Sequence, residues 1–518
     1  MFTSNDNMLI ESKGIRLQSI ENQIKYFKKG FPYIHLAAPA IIGNGIISVS
    51  EPRAKEYVSE YDRLIAGRKV VKFVPASGAA SRMFKHLFEF MEAAPEKADA
   101  NHHLFNDKGF NSPWYFFEHI KELALYEDLD AFCQNNGMSC EMLIESGHYK
   151  IITEYLLENH GLGYSSLPKA LLKFHRYTEE PHRTALEEHL VEAALYATDA
   201  TGLATVHFTV SPEHRVKFDA LIENVIEKFE KRFGIRYKIQ FSEQKSSTDM
   251  LAVDMNNQPF REKDGRLHFR PGGHGALIEN LNDLKGDIVF IKNIDNITPD
   301  RLREPTILYK KLLGALLMEF QSQIFSLIGE IQHLDIPAKR IREIAMHCRK
   351  SLNINLPADF ENLNPPAATE QLIKLLNRPV RVCGMVKNEG EPGGGPYWVT
   401  DKAGNVSLQI VESSQMNLSQ PQQKDIFNQS THFNPVDLVC GVRDYQGNPF
   451  SLPDFVDPET GFISVKSKDG QSLKAQELPG LWNGAMANWN TFFVEVPVIT
   501  FNPVKTINDL LRKEHLEK

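Results

Sequence analysis

The sequence predicts an α/β protein with a mixed, mostly parallel sheet covered by helices on both faces. Two observations predict it. Short β-branched runs alternate with longer stretches of helical period, as a parallel sheet requires. The first of these runs also passes straight into a loop of small residues and then a helix, the geometry that aims backbone N–H groups at a phosphate.

Residues 1–66 read as a helical segment ahead of the first clear strand, Lys69 to Val74. That strand leads into Pro75-Ala76-Ser77-Gly78-Ala79-Ala80-Ser81-Arg82, and a helix follows with Met83, Phe84, Leu87, Phe88 and Met91 on one side. Residues 92–165 read as helical, with an aromatic run at Trp114 to Phe117 better suited to packing than to stacking a base. Thr205 to Val210 is a second strand, followed by Ser211 as an N-cap and Pro212 as a first helical residue. The next helix carries Phe218, Leu221, Ile222, Val225, Ile226 and Phe229 in one buried stripe and ends at Gly234. Tyr237 to Phe241 and Asp287 to Ile291 are further strands. Residues 307–350 read as helical, and 351–378, with Pro357, Pro365 and Pro366, as a linker. Strands dominate again from Val380.

Composition narrows the function classes. The 518 residues are 42% hydrophobic, enough for a large core. A net charge of -8 without any block of like charge argues against a nucleic-acid surface. The opening residues Met1 to Asn7 lack a basic and an apolar region, so no signal peptide is expected. The apolar stretch His35 to Ile47 is broken by Pro39, Gly43, Asn44 and Gly45, so no membrane partner is expected. The cysteines Cys133, Cys140, Cys348, Cys383 and Cys440 are odd in number and form no Cys-x-x-Cys pair. A disulfide framework and a zinc site are both unexpected, and a cytoplasmic location fits.

Five motifs carry chemistry. The loop Ala76 to Ser81 offers small residues through which backbone can approach a phosphate, and Arg82 adds a cation; the Gly-Lys-Ser/Thr ending of a P-loop is absent. Against this stands a plain strand-to-helix turn. Lys169, behind the rigid Pro168, can meet a phosphate as a point charge, or can be a solvated Lys. Gly272, Gly273 and Gly275 around His274 permit close contact with a flat base or a sugar phosphate, and His274 can donate to phosphate; the alternative is an ordinary loop. Asn293-Ile294-Asp295-Asn296 sets a carboxylate at a strand end, suited to Mg²⁺ or to capping a turn. Asn502-Pro503-Val504-Lys505, before Asp509-Leu510-Leu511, reads from the residues alone as a docked C-terminal segment.

In this order the motifs resemble those of the UDP-sugar pyrophosphorylases, above all the eukaryotic-type UTP–glucose-1-phosphate and UDP-N-acetylhexosamine uridylyltransferases. Ala76 to Met83 is similar to their glycine-rich signature, with Ser77 and Ala80 where two glycines are usual. Pro168-Lys169, Gly273-His274-Gly275 and Asn293-Ile294-Asp295-Asn296 match three further motifs, and Glu495 to Leu511 is the closest match. Gln244 resembles the Gln that reads the base, and Glu412 the Glu that binds sugar hydroxyls.

The resemblance implies a Rossmann-like fold of the glycosyltransferase-A kind and a divergent bacterial branch, a domain of unknown function. It implies an enzyme that joins a nucleoside triphosphate, UTP by analogy, to a sugar 1-phosphate and releases pyrophosphate with Mg²⁺. Arg82, Lys169 and Lys505 would be catalytic and Asp295 the metal ligand. Ala76, Ser77, Gly78, Ala79 and Ser81 would bind phosphates. Gln244, Gly272 and Gly273 would face the base, His274 or Asn293 the sugar phosphate, and Glu412 the sugar. Residues 67–350 would be the nucleotide-binding core with 92–165 inserted, and 379–518 the sugar-binding half and a C-terminal segment completing the core. A nucleotide-sugar-dependent glycosyltransferase and a non-catalytic binding protein are the alternatives; oligomeric state is left open.

Overall fold

The computed structural model describes residues 2–97, 102–333, 336–390 and 393–517. Two compact units divide the chain: one comprises Met1–Phe73, Ser242–Ile291 and Lys310–Val498, the other Val74–Phe241, Lys292–Tyr309 and Ile499–Lys518. Of the strands in the described residues, the nine that position the site are, in chain order, β1 (Ile41–Ile42), β2 (Gly45–Ile47), β3 (Val70–Pro75), β4 (Leu203–Thr209), β5 (Arg236–Ser242), β6 (Ile288–Lys292), β7 (Val380–Lys387), β8 (Asp437–Gly441) and β9 (Asn490–Glu495).

In the first unit the order is β1-β2-β9-β7-β8-β6-β3. Neighbours run parallel at β1–β2, β2–β9, β9–β7 and β6–β3, and antiparallel at β7–β8. The fold is therefore mixed α/β with a mostly parallel sheet, as the sequence predicts. Val70, Val71, Phe73, Ile288, Val289, Phe290 and Ile291 are all wholly or almost wholly buried, which is why β3 and β6 read as continuous apolar runs rather than as alternating ones. In the second unit β4 lies beside β5. The chain passes from the first unit into the second at the carboxyl ends of β3 and β6, so both strands deliver their following loops to the second unit.

Three expectations need correction. The N-terminal segment is not helical throughout. Helices Ser4–Ser12, Leu17–Lys29 and Glu51–Leu64 are there, but His35–Pro39, β1 and β2 lie between them. Pro39 withholds a donor, and Gly43 and Gly45 take φ of +80° and +99°, so the isoleucines around them are extended. His35–Pro39 pairs antiparallel with Gly395–Thr400, knitting the segment into its unit.

Residues 351–378 are not a linker either. They contain the helix Pro365–Leu376, which buries Ala368, Leu372 and Leu376. Asn364 caps it by accepting from the Ala367 amide at 3.0 Å. Pro365 and Pro366 start the helix, where a missing N–H does no harm.

Finally, among the described residues Asp300–Gln332 is long and apolar enough to cross a membrane, unlike His35 to Ile47. Within it lies much of the 31-residue helix Arg303–His333. Most of its apolar window is buried inside the structure, as in the core helix of a globular fold. Gly314 is needed there, because a Cβ would lie 2.5 Å from the Tyr61 ring.

Residues 92–165, expected to be helical, contain helices Pro113–His119, Tyr126–Asn135, Cys140–Glu145 and Tyr149–Leu157 among the described residues. Phe116 and Phe117 of the aromatic run are buried core residues.

Candidate functional site

Four segments of the second unit come together around one carboxylate. The first is the loop after β3. The Ala76 amide donates to Thr209 O at 3.0 Å, closing the loop onto the end of β4. Ala76 is fully buried with its N–H spent, so its amide is not offered to a ligand; this corrects its place among the phosphate-binding residues. Ala80 spends its amide too, on Leu167 O at 3.0 Å. Between them Ser77, Gly78 and Ala79 are exposed, and among the described residues their amides donate to no acceptor. Arg82 follows in the 3₁₀ turn Ala80–Phe84, exposed and without an ion pair among the described residues. Successive free amides beside a free guanidinium make a nest for an anion.

The second segment is the strap Leu167–Lys169. Ala79 bridges Pro168, and the Lys169 amide donates to Gly78 O at 3.3 Å, so the strap lies alongside the loop. The third is the turn after β6. His189, on the capped helix Ala185–Tyr196, contacts Ile294 O at 3.2 Å, and Lys292 pairs with Glu192 at 2.7 Å. The turn is thus fixed from behind. The fourth is the C-terminal segment. The Asn502 amide donates to Asn296 Oδ1 at 2.9 Å and the Val504 amide to Asp295 O at 3.0 Å.

Asp295 sits where these meet. Its Oδ2 accepts from Lys169 Nζ at 2.9 Å and from Lys505 Nζ at 3.1 Å. Burial pushes its pKa up, but the two ammonium groups outweigh burial and hold the carboxyl below its usual range. One carboxylate between two ammonium groups leaves a net positive cluster. The two lysines differ in freedom. Lys169 is 14% exposed and also donates to Val504 O at 2.7 Å, whereas Lys505 is 61% exposed. Lys169 is therefore the more firmly held cation and Lys505 the more exposed one. Asn293 is half-buried, with its carbonyl closing the turn by accepting from the Asn296 amide at 3.3 Å.

Two residues escaped the sequence reading. Asn296 ties the C-terminal segment to the turn after β6. Asp509 fixes the backbone of Lys505, accepting on Oδ2 from the amides of Lys505 at 2.9 Å and Thr506 at 2.7 Å. The signal for Asp509 was available: Thr506 and Asp509 have the spacing of a capping box.

The remaining predicted residues lie in the first unit. Gly273 takes φ +77°, and a Cβ at Gly272 or Gly275 would lie 2.6 Å from Thr248 O or 2.1 Å from Pro479 O. These glycines are accounted for by close approach of the chain to itself. His274 stacks on Trp482 with ring centroids 4.3 Å apart, and its Nδ1 accepts from the Leu481 amide at 3.1 Å. With Nδ1 an acceptor, the proton of the neutral ring is on Nε2. Burial pushes the His274 pKa down to about 4, so at neutral pH it is a donor without charge.

An NMR titration of His274 is expected to find a midpoint near 4 and no change between pH 6 and 8. Because the folded value lies below the unfolded one, the linked stability is complete above about pH 6.5 and falls as pH drops towards 4. A midpoint near 6.5 would show the ring to be solvated instead.

Gln244 follows β5, anchored because Asn280 Nδ2 donates to Ser242 Oγ and Glu243 O, both at 2.8 Å. Its Nε2 is buried without a partner among the described residues, a donor awaiting an acceptor. Glu412 Oε1 accepts from Asn483 Nδ2 at 3.1 Å.

Comparison with solved structures finds similarity to UDP-sugar pyrophosphorylases. The chain is 11% identical to the uridine diphosphate N-acetylglucosamine pyrophosphorylase from Trypanosoma brucei in complex with inhibitor, with 95% of this chain and 74% of that one covered at a TM-score of 0.42. It is 12% identical to a mutant UDP-glucose pyrophosphorylase from Leishmania major in complex with UDP-glucose, covering 99% and 79% at 0.43. For another mutant of that protein the identity is 14% and the TM-score 0.35, and the chain spans only 61% of its length. Likeness at this level says nothing of this chain's own activity. No curated protein matches. A family model does match, across residues 3–516, and the chain belongs to the family it describes, the domain of unknown function DUF4301.

Proposed function

We propose that this chain is a sugar-1-phosphate nucleotidyltransferase, joining a nucleoside triphosphate, UTP by analogy, to a sugar 1-phosphate. The observation that supports it best is the pair Lys169 and Lys505 on the buried Asp295, beside the unspent amides of Ser77, Gly78 and Ala79. The reaction forms a bond from a sugar-phosphate oxygen to the α-phosphorus and breaks the bond to pyrophosphate, which leaves. Such chemistry asks the protein for position and charge neutralisation. Arg82, the loop amides and the Ser81 hydroxyl hold the β- and γ-phosphates. Lys169 and Lys505 neutralise charge on the transferred group. By resemblance alone, Gln244, with Gly272 and Gly273, is assigned to the base, His274 or Asn293 to the sugar phosphate, and Glu412 to the sugar.

Among the described residues no three His, Cys, Asp or Glu side chains cluster as a metal site. A single carboxylate nevertheless fits Mg²⁺, which takes one or two carboxylates and fills its shell with waters and phosphate oxygens. Asp295 would hold it, the lysines moving to phosphate. The ion would supply charge stabilisation at the reacting phosphates.

The test is pyrophosphate release from a panel of nucleoside triphosphates and sugar 1-phosphates with Mg²⁺. Release that needs both substrates is the expected result. Turnover of a ready-made nucleotide sugar with an acceptor, and no pyrophosphate, would point to a glycosyltransferase; binding without turnover would point to a binding protein.

Arg82→Ala is expected to melt within about 0.5 kcal/mol of the parent, since the side chain is exposed and without an ion pair among the described residues. It should raise the triphosphate concentration for half-maximal rate by roughly ten- to a hundredfold, the worth of one charge-assisted hydrogen bond. Steady-state kinetics checks this, and an unchanged half-saturation would remove Arg82 from the phosphate site.

A further inference from the structure

A cavity of about 490 Å³ in the first unit has none of the predicted substrate residues in its lining. One wall is the helix Leu17–Lys29 and the other is the segment Gln476–Pro479. Gly30, at φ +79°, turns the chain so that Phe31 stacks on Tyr26, their centroids 4.3 Å apart and their planes 11° from parallel. Met250, Val456 and Leu478 add apolar surface beside that stack, and polar and charged side chains complete the lining. The volume is that of a small-molecule site.

Three features define what would fill it. The Tyr26–Phe31 stack and the apolar lining suit a flat ring. Gln476 is 1% exposed and donates through Nε2 to the Gln23 carbonyl, while its Oε1 is buried without a partner among the described residues. A buried acceptor of this kind asks for an N–H or O–H from the occupant. Lys25 and Lys29 stand one helical turn apart in the lining, exposed and without a carboxylate partner among the described residues. The two lining glutamates each have a lysine partner outside the lining, Glu459 with Lys402 and Glu477 with Lys466. The lining charges without a charged partner among the described residues are Lys25 and Lys29.

We propose that this cavity is a second ligand site, for a flat aromatic anion carrying an N–H or O–H donor, the chemistry of a nucleoside monophosphate. The base lies against the aromatic stack and donates to Gln476, and the phosphate meets Lys25 and Lys29. Occupancy bears on the glycine loop through the shared wall. The Leu478 amide donates to Gly272 O at 2.9 Å, and Gly275 sits where a Cβ would strike Pro479 O. That ligand would therefore act as an effector of base binding. The effector role rests on the nucleotidyltransferase reading, whereas binding in the cavity does not.

The experiment is calorimetric titration of the full chain with AMP, GMP, CMP and UMP, using two sets of variants. At least one monophosphate is expected to bind the parent. Lys25→Glu/Lys29→Glu, whose side chains are exposed, should weaken it at least tenfold, and Val456→Trp should do the same by filling the cavity. Arg82→Ala and Lys505→Ala should leave that affinity within twofold. Absence of binding by all four monophosphates overturns the proposal, as does parental affinity in the double lysine variant. Loss confined to the Arg82 and Lys505 variants overturns it too, since the probe would then occupy the phosphate nest. If binding follows the prediction while no nucleotidyl transfer is found, the cavity stands and only the effector role falls.

Discussion

Asp295→Asn is expected to lower pyrophosphate release by about two to four orders of magnitude while binding of free triphosphate, without metal, stays equal or tightens. The two effects come from one rearrangement. In the free protein the carboxylate holds both Lys169 and Lys505, so a triphosphate must draw them away from a buried partner. The amide keeps the shape and holds the ammonium groups less firmly, so they meet phosphate at lower cost. A divalent ion held at Asp295 would, by contrast, lose that carboxylate and gain no charge in return. By linkage, metal and triphosphate should bind the parent synergistically, each freeing the other's partner, and the synergy should vanish in the variant. Stability changes in the other direction. Asp295 has a depressed pKa, so its contribution is present above the unfolded value near 3.9 and is lost as pH falls through and below it. The variant should forgo that contribution at neutral pH, moderated because Lys169 keeps the Val504 carbonyl. Calorimetry with and without Mg²⁺, beside turnover, separates these effects. Near-parental turnover would mean that the carboxylate only organises the turn.

The features easiest to read from the sequence were local ones. Strand, small-residue loop and helix at Lys69 to Met91 follow from periodicity and from where Gly, Ala and Ser stand, whereas the Thr506–Asp509 cap, equally local, was missed. Where local rules admitted two answers, packing decided. Pro365 and Pro366 end a helix in one context and begin one in another, and burial of Leu372 and Leu376 selected the second. The stretch at His35 to Ile47 became strands because partners at Gly395–Thr400 and Asn490–Glu495 were waiting for it, more than three hundred residues on. The site shows the same limit. Asp295 could be placed at a strand end from sequence, but that it is buried and shared by two lysines depends on Lys169 and Lys505, whose positions only the tertiary fold fixes. Ala76 looked like its neighbours in the loop and differs from them only because its amide reaches Thr209. The glycines at Gly272 to Gly275 looked made for a ligand, yet the first atoms they accommodate belong to Thr248 and Pro479.

Lys505→Ala should separate chemistry from folding most sharply. The side chain is 61% exposed, and its removal leaves Asp295 still paired with Lys169 at 2.9 Å, so the buried carboxylate is not stranded. Truncating a largely exposed Lys usually moves stability by less than about 0.5 kcal/mol, and the melting temperature should match the parent's. The backbone that carries Lys505 is held independently by Asp509 and by the Val504–Asp295 hydrogen bond, so the segment should stay docked. What disappears is a cation that can leave Asp295 and follow negative charge onto the reacting phosphates. Charge that is greatest in the transition state is then uncompensated, which lowers turnover far more than substrate binding. The expected loss is about two to three orders of magnitude in turnover, with nucleotide affinity within a few-fold of the parent. Lys505→Arg should recover little, because a planar fork does not replace a compact ammonium that two partners share in turn. A variant that turns over normally would leave Lys505 a solvated neighbour of Asp295. The cluster would then read as a fixed Lys169–Asp295 pair that holds the C-terminal segment in place, and the non-catalytic binding protein would become the better account of the same geometry.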